Sequence, residues 1–181
     1  HTVARAAGRS AFAKSAFEQF RTKILGFVPE ERFFLSDAQL VQGPFEVVAS
    51  QKNPPAEVTR AWQVVRSLLS DMKRQTDEHD VPFLLTVNIT KFQIDESNWV
   101  LHRDLYKLDP ATSSPYQINE VLGQIAKELG INFYDGRLEA EDWRAQTGAL
   151  HLKVDAHYNR NGHLFMGEKV AEFIIENELV R

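Results

Sequence analysis

The feature that most constrains the fold is a strand, a helix and a second strand in the middle of the chain. Residues 81–89 form a nearly continuous apolar run, which is typical of a strand buried on both faces of a parallel sheet. Residues 131–135 predict a second, short strand. Between them, residues 115–129 carry an apolar helical stripe that ends at Gly130. A parallel pair of strands joined by a crossover helix is therefore expected.

Helical patterns also flank this unit. The apolar spacing predicts helices over 10–25, 55–78 and 138–146 and a closing helix that contains Met166, Val170, Phe173 and Ile174. Ser114 and Pro115 are expected to cap and open the helix at 115–129. Short strands are predicted over 45–49 and, by apolar alternation, near 150–154.

These elements predict an α/β protein, a three-layer α/β/α fold with a mostly parallel, flavodoxin-like sheet. Residues 1–54 would form an N-terminal helix and an irregular connection, and residues 55–181 the α/β domain. The predicted strands are fewer than a doubly wound sheet normally has. Either a second chain would complete the sheet, or a preceding segment would supply its first strands.

Composition excludes several classes of site. The chain has 181 residues, no cysteine, and 21 basic against 25 acidic residues. The lack of cysteine removes disulfides, zinc–thiolate sites, iron–sulfur clusters and cysteine nucleophiles. No basic run indicates nucleic-acid binding, and no apolar run approaches the ~20 residues of a membrane span. No cofactor is expected.

The residues that point to chemistry lie between 151 and 163, in the loop before the closing helix. Loops at the ends of strands hold the active sites of open α/β sheets. Asp155 lies two positions before His157, so both side chains can share one side of an extended backbone. The Asp155 carboxylate could then orient the His157 imidazole and stabilise it when it takes a proton. Asp155 and His157 are thus the candidate catalytic acid–base pair.

Two other interpretations of the same residues stay open. An Asp and a His two positions apart often occur on a surface without any chemical role. Alternatively, four potential ligands in this segment could bind a metal ion, namely His151, Asp155, His157 and His163. Their spacing matches no common zinc pattern.

The string Asp155-Ala156-His157-Tyr158-Asn159, followed by Gly162-His163 and a helix, resembles the C-terminal end of SGNH (GDSL-type) hydrolases. A subset of that family closes with Asp-Gly-His-Trp-Asn, so Ala156 and Tyr158 are mild departures. The order of predicted helices and strands from residue 55 onward is similar as well. The resemblance implies hydrolysis or transfer of an acyl ester by a Ser-His-Asp site, as in esterases, lipase-like enzymes and acyltransferases. It also implies a small-molecule ester substrate.

The family's other site motifs are missing from this sequence. Neither the Gly-Asp-Ser turn that supplies the nucleophile nor the Gly-x-Asn-Asp of the oxyanion hole is present. The nearest string is Gly8-Arg9-Ser10, which follows no predicted strand. The resemblance therefore implies the C-terminal portion of such an enzyme, inactive without a preceding segment, and family members are often exported from the cytoplasm. A non-catalytic module that kept only the closing motif is the main alternative.

Overall fold

A computed structural model describes residues 45–153 and 156–180 of the chain. Their elements are α1 (Phe45–Val48), α2 (Ala56–Glu78), β1 (Leu84–Thr86), α3 (Lys91–Ile94), α4 (Glu96–Leu105), α5 (Gln117–Leu129), β2 (Asn132–Tyr134), α6 (Arg137–Thr147) and α7 (Arg160–Glu176). The protein is thus of the α/β class and mostly helical. The helix predicted over 10–25 lies outside the described residues.

The predicted strand–helix–strand unit is confirmed. β1 and β2 pair in parallel, with Leu85 opposite Phe133, and the connection between them contains α3, α4 and α5. β1 is shorter than the predicted 81–89, and it is not buried on both faces. Val81 is 51% exposed and Thr86 is exposed as well. The apolar run was misleading because its last residue, Ile89, is buried in a loop beyond the strand.

The ends of α5 follow the prediction only in part. Gly130 adopts the left-handed conformation (φ 67°) that stops the helix, as expected. Ser114, however, does not cap the helix, which begins at Gln117 after Tyr116. The Ser114 hydroxyl oxygen instead accepts a hydrogen bond from the backbone N–H of Tyr116 at 3.2 Å. That bond holds the turn before the helix.

Two predicted short strands do not form over the residues that the structure describes. Phe45–Val48 is a short helix, and Ser50 closes the turn after it by donating its hydroxyl to the carbonyl of Val47 at 2.5 Å. Within 150–153, only His151 makes a strand-like pairing, a single antiparallel bridge to Tyr158. Leu150 is buried and Leu152 is 42% exposed, so the alternation did not mark a ladder. Val154 lies outside the described residues.

The apolar side chains form two clusters around the strands. One joins α2 and α5 to the strands and contains Leu69, Ile125, Ala126 and Ile131, with Trp62, Leu85 and Phe133 packed against it. The other contains Ile89, Ile94, Ala140, Leu150 and Phe165, and it joins the segment after β1 to α6 and α7.

Neighbouring residues of β2 contact different helices. Phe133 belongs to the α2–α5 cluster and packs so closely on α5 that a Cβ at Gly123 would lie 3.1 Å from its ring. The Tyr134 ring lies 5.4 Å from that of Phe173 on α7. Successive side chains of a strand point to opposite faces, so helices lie on both sides of β2. None of the helices described here combines the length and apolar character that a membrane crossing needs.

Candidate functional site

The segment that carries His157 has its two ends paired with each other. We call residues 151–158 the His157 loop. Its base is the bridge between His151 and Tyr158, flanked by hydrogen bonds from Leu152 N to His157 O and from Asn159 N to Leu150 O, both 2.9 Å. The rings of His151 and Tyr158 contact each other across the bridge at 5.0 Å. His151 and Tyr158 therefore define the base of the loop.

This base is hydrogen-bonded to the segment just after β1. The backbone N–H of Ile89 donates to the hydroxyl oxygen of Tyr158 at 2.6 Å. The carbonyl of Ile89 lies 2.9 Å from Nε2 of His151, and since a carbonyl can only accept, Nε2 donates. Lys91 adds bonds from its Nζ to the carbonyls of Leu152 and Lys153, both at 3.2 Å. The His157 loop thus lies beyond the carboxyl end of β1.

Asn159 and Gly162 join the loop to α7. Asn159 caps the helix, because its side-chain oxygen accepts from Gly162 N at 3.0 Å, while its Nδ2 donates to the carbonyl of Ala149 at 2.7 Å. A Cβ at Gly162 would lie 2.2 Å from the carbonyl oxygen of Leu150. The start of α7 can approach the loop base only because residue 162 is glycine.

Asn161 ties the same region to α6. Its Nδ2 donates to the Thr147 hydroxyl at 2.9 Å and to the carbonyl of Gly148 at 3.0 Å, and its Oδ1 accepts from the Trp143 indole N–H at 3.1 Å. Trp143 in turn packs edge-on against the buried ring of Phe165. The polar residues after His157 therefore have structural roles in holding the loop.

Of the two candidate catalytic residues, the structure describes His157, which lies beside the base of this loop. The side chain of His157 is exposed and engaged in an interaction, and its backbone carbonyl accepts from Leu152 N. Asp155 lies outside the described residues, so its predicted contact with His157 stays a prediction. Ser10 lies outside them as well.

His151 has a structural position rather than a ligand's. It is 5% exposed, and burial lowers the pKa of its imidazole below the ordinary value. Its Nε2 is engaged by Ile89, so that nitrogen is not available to a metal ion. Within 45–153 and 156–180, no three His, Asp or Glu side chains are grouped to hold a metal. The His163 ring lies 5.8 Å from that of Tyr158.

A buried chain of polar side chains supports the loops that follow β1 and β2. Gln93 accepts from Thr90 N at 2.9 Å and donates to Asn119 at 2.7 Å, and Asn119 donates to Asp135 at 2.8 Å. Asp135 also forms an ion pair with Arg137 at 2.9 Å. Gln93 and Asn119 are 5% and 1% exposed. This network fixes the segments at the carboxyl ends of both strands relative to each other.

Sequence reasoning missed these supporting residues. A polar residue among apolar neighbours was the available signal for Asn119, which stands between Ile118 and Val121 on the helical stripe. No sequence pattern could identify Ile89, since it holds the loop through its backbone N–H and carbonyl and not through its side chain.

Comparison with known proteins adds no relative. No family model, no curated protein and no solved structure matches the chain.

Proposed function

We propose that the protein is an ester hydrolase or acyl transferase of the SGNH type, with Asp155 and His157 as its acid–base pair. The observation that carries this proposal is the attachment of the base of the His157 loop to the segment after β1. Side chains of His151 and Tyr158 bind both backbone groups of Ile89, so the base of the loop lies beyond the carboxyl end of a parallel strand. Ligands of open α/β sheets bind at that edge.

The proposed chemistry uses His157 to move one proton in each direction. The imidazole takes the proton of a serine hydroxyl while the serine oxygen attacks the ester carbonyl. The imidazolium then returns that proton to the departing alcohol, which leaves an acyl-enzyme. Water, or an acceptor alcohol in a transfer reaction, repeats the cycle and releases the acyl group. Asp155 would orient the ring and stabilise its charged form.

The three-layer, flavodoxin-like arrangement forms part of the same proposal. It is supported by the parallel pairing of β1 with β2 and by Phe133 and Tyr134, which contact α5 and α7 on opposite faces. Further strands beside β1 or β2 would complete the sheet. In this proposal, the serine and the oxyanion hole belong to that additional segment, upstream or in a second chain.

The test compares p-nitrophenyl acetate hydrolysis by the 181-residue chain and by the protein expressed from its full coding sequence. We expect background rates for the short chain and turnover for the full protein. His157→Ala in the full protein should lower kcat about 10²–10⁴-fold, the usual contribution of a general base. Asp155→Asn should lower it too, because the ring loses its orienting carboxylate. His79→Ala, at an exposed histidine after α2, is the matched control and should leave kcat unchanged.

Other results would refute parts of the proposal. Turnover by the full protein that survives His157→Ala removes His157 as the base. Absence of turnover on acetyl, butyryl and longer acyl esters favours the non-catalytic alternative. Turnover by the short chain shows that its nucleophile lies within these residues, with Ser10→Ala as the first variant to measure. A stoichiometric bound metal that is lost in His157→Ala would favour the metal-site alternative.

A further inference from the structure

A cavity of about 210 Å³ lies directly against the His157 loop. We call it the Lys91 cavity. It is lined by Lys91, Ile94, Asp95, Arg144 and the segment 149–153. Leu152, one of its walls, donates its backbone N–H to the carbonyl of His157 at 2.9 Å. The cavity and the exposed His157 are therefore neighbours on one loop.

The charged side chains that line the Lys91 cavity are mostly cationic. Among the described residues that line it, Lys91, Arg144 and Lys153 carry positive charge and Asp95 carries the one negative charge. Lys91 binds two backbone carbonyls, and Arg144 donates to the carbonyl of Ile94. Carbonyl oxygens orient these cations without neutralising them, so the lining keeps an excess of positive charge.

The remaining lining residues offset only part of that charge. Asp95 offsets one of the three positive charges. Its carboxylate caps α4, where it accepts from the Ser97 hydroxyl at 2.6 Å and from Asn98 N at 3.3 Å, and these bonds together with the charge of Arg144 lower the pKa of Asp95, which favours its ionised form. His151 donates through Nε2 to Ile89 and is buried, which favours its neutral form. Leu150 and Ile94 are apolar and buried.

Size limits what the cavity can hold. Its volume is below the roughly 300–1,000 Å³ of pockets that enclose a whole drug-sized ligand. An apolar floor with cations at the rim fits a short aliphatic or sugar segment that ends in an anionic group. A segment of this kind is either one part of a larger molecule or a complete small molecule.

We infer that the Lys91 cavity is a subsite for an anionic group, a carboxylate or a phosphate, of the substrate whose ester bond reaches His157. The identification of the bound molecule as a substrate rests on the proposed function. The anion site itself rests only on the cavity and its charges, so the two can be tested separately.

Binding is measured by ¹H–¹⁵N NMR titration of the 181-residue chain with succinate, with neutral succinamide and with inorganic phosphate. Succinate or phosphate should shift the amide signals of residues 149–153, and succinamide should not. The anion with the higher affinity identifies the group as carboxylate or phosphate. Lys153→Gln and Arg144→Gln should each weaken binding about two- to fivefold, as expected for partly exposed charge pairs. Lys127→Gln, at an exposed position on α5, should have no effect.

Equal shifts with succinate and succinamide, or anion binding that survives the double variant Lys153→Gln/Arg144→Gln, would overturn the anion site. Lys153 is an exposed loop residue whose side chain can change without loss of the fold, so its variant keeps the test informative if Arg144→Gln is unstable.

Hydrolysis by the protein from its full coding sequence separates the two proposals. Monomethyl succinate should be hydrolysed with a kcat/KM about fivefold above that of methyl levulinate, its neutral isostere. Succinate binding without hydrolysis of any ester would refute the proposed function and leave the anion site standing. Hydrolysis of both esters at equal rates, without succinate binding, would refute the subsite and leave the function standing.

Discussion

Tyr158 accepts a hydrogen bond from the backbone N–H of Ile89 at 2.6 Å, across 69 positions of sequence. Ile89 lies three residues after β1, and Tyr158 lies next to His157. The contact therefore joins the segment that leaves the sheet to the loop that carries the candidate base. An aromatic residue beside the histidine has a physical reason here, since its ring packs on His151 and its hydroxyl holds the loop.

We expect Tyr158→Phe to lower the free energy of unfolding by about 1–3 kcal/mol, because a largely buried N–H would lose its acceptor. Urea denaturation followed by circular dichroism measures the change. Tyr106→Phe is the control, since its hydroxyl makes no hydrogen bond to another described residue, and it should change stability by less than about 0.5 kcal/mol. Equal effects of the two variants would show that the Ile89 bond contributes nothing.

Gly162 and Gly167 provide a matched pair on α7. Gly162→Ala should destabilise the protein by about 1–3 kcal/mol, because its Cβ would collide with the carbonyl of Leu150. Gly167 has open space at the same atom, so Gly167→Ala should instead stabilise the helix by about 0.5–1 kcal/mol. Thermal unfolding of both variants measures whether each one is less or more stable than the wild-type protein. A Gly162→Ala protein as stable as Gly167→Ala would contradict the described approach of α7 to the loop.

His151 should make stability depend on pH. Burial lowers the pKa of its imidazole below the ordinary 6.5, so at mildly acidic pH the unfolded chain binds a proton that the folded chain does not. The stabilisation that neutral His151 contributes to the folded protein is complete above pH 6.5. It is lost as the pH falls from there towards the lowered pKa. The decrease in the free energy of unfolding between pH 7 and pH 5 should therefore be smaller in His151→Gln. His79→Gln, at an exposed histidine, should retain the wild-type decrease, and identical profiles for all three proteins would refute this assignment.

The sequence predicted the elements whose signal is local and repetitive. The apolar stripe of α5, its stop at Gly130 and the order of β1 and β2 are confirmed, because helical periodicity and parallel crossovers follow general rules. Two other predictions from local patterns are wrong, because the same residue types also suit a different local structure. Ser114 has cap chemistry, yet it closes a turn before the helix, and residues 45–48 form a helix despite their apolar character.

The candidate site shows the same division. Asp155 and His157 are candidates from spacing and resemblance, and the structure adds that the His157 side chain is exposed. The contacts of that loop with Ile89 and Lys91 connect residues more than 60 positions apart, which no local pattern encodes. The sequence makes His151 a candidate metal ligand because histidine binds metals, whereas its burial and its bond to Ile89 give it a structural role.

The central claim is that His157 activates a serine, and covalent labelling with a fluorophosphonate probe tests it most directly. Such a probe reacts with a serine whose hydroxyl is activated by a neighbouring base. In the protein from its full coding sequence, mass spectrometry should find one labelled serine, with labelling lost in His157→Ala and kept in His79→Ala. Undiminished labelling of that serine in His157→Ala, or no labelled serine in the wild-type protein, would contradict the account.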